Sequence, residues 1–205
     1  MGLLEAIEFS FKEIKEKPLT YIIGSLLLVL IGIPSIIPFI GPFITAIALP
    51  FVLRYIAKKL GFETTDRLNT SIIAFILIKG VPGFLLYLLL TITALQNPFL
   101  IAKNLFSIAY KISTLALIVA AVEFFLKLLF GYSAYGSIIK KVDKLTIDIY
   151  NGAKIILISY IMGAIIGLIT FGLSLIPTVG TVLATLFFIF MAPVMYVAAI
   201  FKYIE

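Results

Sequence analysis

The segment LTYIIGSLLLVLIGIPSIIPFIGPFITAIALPFVL, Leu19 to Leu53, runs for 35 residues without one charged side chain. A straight membrane crossing takes about 20 apolar residues, so this run is too long for one helix. Pro34, Pro38, Gly41 and Pro42 interrupt it near its middle, where a reversal of the chain would fall. It reads as a helical hairpin. If the reversal takes about five residues, each arm keeps roughly 15, or about 22 Å, against a hydrocarbon core about 30 Å thick. Arg54 and Lys58 lengthen the second arm by snorkelling, which favours a full crossing; a re-entrant wedge is the alternative.

Before the hairpin, Leu3, Leu4, Ile7, Phe11 and Ile14 recur at helical spacing, opposite Glu5, Glu8, Lys12, Glu13, Lys15 and Glu16. This predicts an amphipathic helix, ended by Pro18, that lies in the headgroup plane or packs as an ordinary helix on the bundle. After the hairpin, Leu68 to Leu95 contains Lys79, Pro82 and Gly83. The expected reading is an interfacial part followed by a short span from Val81, with one long kinked span carrying Lys79 inside the membrane as the alternative. Gln96-Asn97-Pro98 marks a loop, and Ile112 to Phe130 a fourth span holding Glu123 and Lys127. Gly131 to Lys154 predicts a second amphipathic helix, with Ile138, Val142, Leu145, Ile149 and Ala153 on one face. Ile155 to Phe201 then gives 47 uncharged residues, enough for two crossings joined near Pro177 and Gly180.

The whole composition agrees with this reading. The 205 residues are 62% hydrophobic and 13% charged, with mean hydropathy +1.22; soluble domains hold roughly 25% charge. Cys, His and Trp are absent, which excludes disulfides, thiol or imidazole catalysis and Cys/His metal sites. No phosphate-cradling loop, nucleophile elbow, zinc-protease helix or EF-hand spacing occurs, so neither a catalytic constellation nor a cofactor is expected. The start of the chain lacks the basic residues of a signal peptide, so the first segment is expected to be retained. One Gln, four Asn and no Cys resemble the composition of thermophile proteins.

An internal repeat emerges at an offset of 139 residues, pairing Tyr21 with Tyr160, Gly24 with Gly163, Ser35 with Ser174, Pro38 with Pro177 and Gly41 with Gly180. Beyond the turn the offset becomes 143, pairing Pro50 with Pro193 and Lys59 with Lys202. The chain is therefore read as one membrane domain: residues 1–60, an amphipathic helix and hairpin; 66–130, middle helices that form a degenerate copy at most; and 133–205, the same unit again. With both termini cytoplasmic, 14 of 16 basic residues fall on or toward that side, leaving Lys103 and Lys111 outside. The two copies are then parallel, unlike inverted transporter repeats.

The Pro18-Leu-Thr-Tyr21 segment and the Ile-Pro-x-x-Gly tips at Ile37 to Gly41 and Ile176 to Gly180 resemble uncharacterised polytopic prokaryotic proteins of the glycerophosphodiester phosphodiesterase membrane-domain and YciC type. That resemblance implies a six-helix membrane fold and brings no catalytic residues with it.

Four sets of residues stand out. Glu123 falls near the middle of its span, where an acid is expensive and a functional candidate by default; Lys127, at i+4, is placed to neutralise it, so the pair is either a structural ion pair or a proton or cation site. Gly163 and Gly167 form a GxxxG, and Ala116 with Ala120 a small-xxx-small pair, expected to pack helices within the chain ahead of forming a homodimer. Pro38, Gly41, Pro177 and Gly180 reverse the chain. Lys58-Lys59 and Lys140-Lys141-Lys144 flank spans and suit anionic lipid headgroups at the cytoplasmic face rather than nucleic acid.

The expected fold is an all-α integral membrane protein of the cell membrane, multi-pass, with six transmembrane helices, interfacial amphipathic helices and a parallel tandem helical-hairpin repeat. The expected function is transport, or service as the membrane subunit of a transporter, for a small or lipophilic solute passing Glu123. The competing reading is a non-catalytic scaffold that organises lipids, membrane shape or a partner membrane protein.

Overall fold

The computed structural model describes residues 2–96 and 105–205, excepting the side chains of 94–96 and 105–112. Asn97, Pro98 and Lys103 of the expected loop and outer face lie outside the described residues, as does the side chain of Lys111. Among the described residues the fold is all-helical: α1 Leu3–Glu16, α2 Pro18–Gly32 with a 3-10 turn Ile33–Ile36, α3 Gly41–Leu60, α4 Asn69–Phe75, a π turn Ile76–Gly80, α5 Val81–Gln96, α6 Leu105–Gly136, α7 Ile149–Ser174, α8 Gly180–Phe190 and α9 Ala192–Ile204. Among the described residues, four helical runs are long and apolar enough to cross a membrane: Pro18–Ile36, Asn69–Thr93, Ser113–Gly136 and Ile149–Ser174. The pair α8 and α9, bent by 43°, makes a fifth if counted as one span. The sixth segment read from the sequence, α3, carries Arg54, Lys58 and Lys59 in its last third and is not among them.

Local chemistry sets the helix boundaries. The Gly2 N–H donates to Glu5 Oε2 at 3.0 Å, capping α1. The helix stops at Lys17 because Pro18 disfavours helical geometry in the residue before it, and Pro18 itself starts α2, where its missing N–H costs nothing. Lys17 Nζ ties this junction together, pairing with Glu13 at 2.7 Å and donating to the Leu60 carbonyl at 3.1 Å.

The two chain reversals are built alike. In the first, the N–H groups of Ile37, Ile40 and Gly41 donate to the carbonyls of Pro34, Pro38 and Ile37; in the second, those of Ile176, Val179 and Gly180 donate to Leu173, Pro177 and Ile176. Ser35 Oγ donates to the Gly32 carbonyl at 2.5 Å and Ser174 Oγ to Phe171 at 2.6 Å. Phe39 and Thr178 both take positive φ, at 63° and 66°. A Cβ on Gly41 would overlap the Pro34 carbonyl, and one on Gly180 the Leu173 carbonyl, so glycine is required at both sites for close approach. The surroundings differ: Phe39 packs on Phe84 and Tyr87 with ring centroids 5.7 and 6.1 Å away, while Leu175 to Val179 are exposed.

Two expectations are corrected. Residues 69–96 are helical throughout, so the kinked single span replaces the division near Lys79. The π turn accommodates Pro82, whose ring would otherwise meet the carbonyl one turn back; Val81 N–H bonds to the Ile76 carbonyl instead. The second amphipathic helix is not formed over 131–154. Residues up to Gly136 continue α6, and 137–148 fold back along its end, where Ser133 Oγ donates to the Thr146 carbonyl and accepts from its N–H, both at 2.9 Å. Asp148 then caps α7, accepting from the Asn151 N–H at 2.9 Å. The chain breaks its first helix at Pro18, but position 157, 139 residues further on, is Leu, so α7 runs straight on. The first helix, α1, is formed as expected and rests on the bundle through the buried residues Ala6, Ser10 and Glu13.

The core gathers where the two ends of the chain meet. Phe9, Phe62, Phe201, Tyr135 and Phe75 form a continuous ring-to-ring chain with centroids 5.2 to 6.2 Å apart, linking α1, α9, α6 and α4. Around it pack Leu53, Ile56, Ile78, Ile155, Ile158, Met162 and Met195, all essentially inaccessible. Toward the other end, Leu117, Ile118, Phe125, Leu168 and Phe171 are exposed.

Candidate functional site

On α6, Ala120, Glu123, Phe124 and Lys127 fall at i, i+3, i+4 and i+7, one face of the helix. On α7, Ile156, Ser159 and Tyr160 repeat that spacing, and α9 brings Tyr196 against both. These eight residues line an open-sided cavity of about 330 Å³. Glu123 lies ten residues from the Ser113 end of its 24-residue span, and Lys79 ten from the Asn69 end of its 25-residue span. At 1.5 Å per residue each is about 15 Å along, near mid-span.

The ion pair differs from the one the spacing suggests. Glu123 pairs with Lys79 of the π turn, not with Lys127. Lys127 Nζ donates to Ser159 Oγ at 2.9 Å and to the Tyr196 hydroxyl at 3.0 Å, and sits 5.7 Å from the Tyr196 ring centroid. Ser159 is buried and its hydroxyl donates a hydrogen bond to the Ile155 carbonyl at 2.5 Å. Cation–π attraction and two neutral oxygen acceptors thus hold Lys127. The three charges sum to one net positive, carried by the member without a carboxylate.

A second, larger space adjoins the first. About 560 Å³ lies between α6 and α7, walled by Phe124, Leu128, Ile156, Leu157 and Tyr160, and extends to Lys154 and Tyr150 near the start of α7. Phe124, Ile156 and Tyr160 border both spaces.

The remaining candidates are placed plainly. Gly163 and Gly167 are exposed, and a Cβ on either would meet nothing within 4 Å, so this GxxxG packs on no helix among the described residues. Ala116 and Ala120 are likewise exposed rather than packed, and Ala120 instead borders the cavity. Pro38, Gly41, Pro177 and Gly180 form the reversals described above. Lys79, Ser159, Tyr160 and Tyr196 are site residues that the sequence reading did not assign. The one signal in the sequence was coarse: Lys79 and Glu123 each stand near the middle of an apolar run, which marks both as candidates without saying which runs pack together.

Compared with known proteins, the chain matches no family model, no curated protein and no solved structure.

Proposed function

We propose that the protein is a transport-type membrane protein, or the membrane subunit of a transporter, whose small or lipophilic solute passes through the cavity between α6, α7 and α9. The observation that carries this reading is Lys127. A charged lysine costs up to about 2.5–3.5 kcal/mol at the centre of a span; Lys127, one turn past Glu123 and nine residues short of the Gly136 end of its span, faces a cavity with only neutral partners. Water or a solute in that cavity offsets the cost; ionisable groups facing such spaces mark solute paths.

The finer architecture belongs to the same proposal. We read six crossings with both termini cytoplasmic in the cell membrane. Packing of α1 on α9, with Lys202 Nζ 5.3 Å from the Phe9 ring centroid, supports ends on one side and hence an even number of spans. The five apolar crossings then require α3 as the sixth. The identical reversals at an offset of 139 support a parallel tandem repeat, and the exposed Glu5, Glu8, Lys12 and Lys15 of α1 support an interfacial position facing anionic headgroups. The likeness to the glycerophosphodiester phosphodiesterase membrane-domain and YciC type adds no residue to the site. The outward Gly163-Gly167 face is left for a second copy or another membrane protein.

The test uses the absence of native cysteine. In Ala120→Cys, labelling by a membrane-impermeant maleimide is measured from each side of sealed vesicles, with exposed Lys12→Cys as the reactive control. Labelling in folded protein supports the path. A silent Ala120→Cys beside a reactive control overturns transport in favour of the scaffold.

A further inference from the structure

We infer that the solute is a lipophilic anion: an anionic head held by Lys127 and Tyr196, with its hydrocarbon chain along the groove between α6 and α7. This rests on the reading of the cavity as the solute's site, and adds the chemistry that the site selects. The charge count decides the sign. Glu123 and Lys127 both line the cavity, but the Glu123 carboxylate is neutralised by Lys79, which pairs with its Oε1, so the charge without a counterion is the Lys127 ammonium. An ammonium has three protons to donate and a phenol one. Lys127 directs two of its protons to Ser159 and Tyr196. Among the described residues its third proton and the Tyr196 hydroxyl proton have no acceptor. Two unspent donors, one of them cationic, call for an acceptor that carries negative charge. A cation would face Lys127 directly, and a neutral head would leave its charge uncompensated.

The apolar half of the ligand follows from the second space. Phe124, Ile156 and Tyr160 continue from the cavity into the 560 Å³ groove, adding Leu128 and Leu157 as further walls. A small anion such as acetate would use the head site alone. A chain of about eight carbons makes van der Waals contact along the groove walls in addition. Carboxylate and phosphate monoester share the required head chemistry.

The test is calorimetric titration of the full chain in zwitterionic nanodiscs at neutral pH, with empty nanodiscs as the blank. The probes are octanoate, octyl phosphate, octanol and acetate. Octanoate or octyl phosphate should bind at least about tenfold more tightly than octanol, as charge-assisted hydrogen bonds require, and more tightly than acetate. Whichever of the two anions binds better names the source as carboxylate or phosphate lipid. Lys127→Gln should abolish the preference for the anion, and Lys127→Arg should keep it. Equal binding of octanol and the anions in the wild-type protein overturns the inference without any variant, even if Lys127→Gln fails to fold. An unchanged preference in folded Lys127→Gln overturns it too. The two readings fail separately. A labelled Ala120→Cys with no anion preference leaves the path standing and removes the anion. A clear anion preference with a silent Ala120→Cys keeps the lipid-anion site and removes transport.

Discussion

Removing the two members of the Lys79–Glu123 pair should have unequal consequences, because only one of them has a substitute within reach. In Glu123→Gln, Lys79 and Lys127 both remain, and Lys79 loses its sole ion-pair partner among the described residues. A bare lysine at mid-span costs about 2.5–3.5 kcal/mol. The Lys79 side chain is 47% exposed and can snorkel in part, which brings the loss to about 2 kcal/mol. In Lys79→Met, Glu123 is left with Lys127 one helical turn away at i+4, the geometry in which such pairs meet. The carboxylate can turn to it, at the expense of the Lys127 bonds to Ser159 and Tyr196, for about 1 kcal/mol. The double variant removes both charges and should lie within about 1 kcal/mol of wild type, a coupling of about 2 kcal/mol. In a chain of this size each kcal/mol moves the thermal midpoint by about 2–4 °C. Thermal unfolding of the four proteins in one detergent therefore gives the order wild type, Lys79→Met, Glu123→Gln, with the double variant near the first two. Additive losses, or Lys79→Met falling as far as Glu123→Gln, would refute both the pairing and the reach of Lys127.

Gly41→Ala and Gly180→Ala each place a Cβ against a backbone carbonyl within a reversal; each should lose about 2 kcal/mol or more, read as a drop in thermal midpoint. Asp148→Ala removes the cap of α7 and should cost about 1 kcal/mol, seen as faster hydrogen exchange at Asn151 with the rest of the helix unchanged.

The apolar runs and their breaks were legible because a bilayer imposes a length scale and proline and glycine act locally. The reversals at Pro38-Gly41 and Pro177-Gly180 stand where the residues placed them, since positive φ at Phe39 and Thr178 and the missing Cβ of the glycines are properties of a few adjacent residues. The Glu123 partner was not legible. Local spacing offers Lys127, four residues away, and the choice of Lys79 depends on how α4, the π turn and α6 pack. The same limit misled the reading of 131–154. Its apolar residues do recur at helical spacing, but Ser133 and Thr146 bond to each other and fold the segment back on α6. Periodicity alone does not fix a helix: of the residues at that spacing the fold-back buries Ile138, while Leu145, Ile149 and Ala153 are left exposed.

The place of the cavity follows from one proline. Tyr21 and Tyr160 occupy equivalent positions in the proposed repeat. In the first copy Pro18 breaks the chain, α1 folds back, and the Tyr21 hydroxyl donates to the Ser10 carbonyl at 2.8 Å, fully buried. In the second copy Leu157 permits α7 to continue, no helix folds back, and Tyr160 is left 68% exposed as a wall of the cavity. The neighbouring glycines tell the same story: a Cβ on Gly24 would press on Val194 and Ile56, while one on Gly163 meets open space. Equivalent substitutions should thus part company. Tyr21→Ala empties a buried site and loses its bond to Ser10, for about 3–5 kcal/mol. Tyr160→Ala should stay within about 0.5 kcal/mol of wild type in stability, while weakening octanoate binding by removing a wall shared by cavity and groove. Thermal midpoints and calorimetric titration of the two variants measure both effects. If Tyr160→Ala were as destabilising as Tyr21→Ala, Tyr160 would be a core residue, and the cavity could not owe its opening to the missing proline.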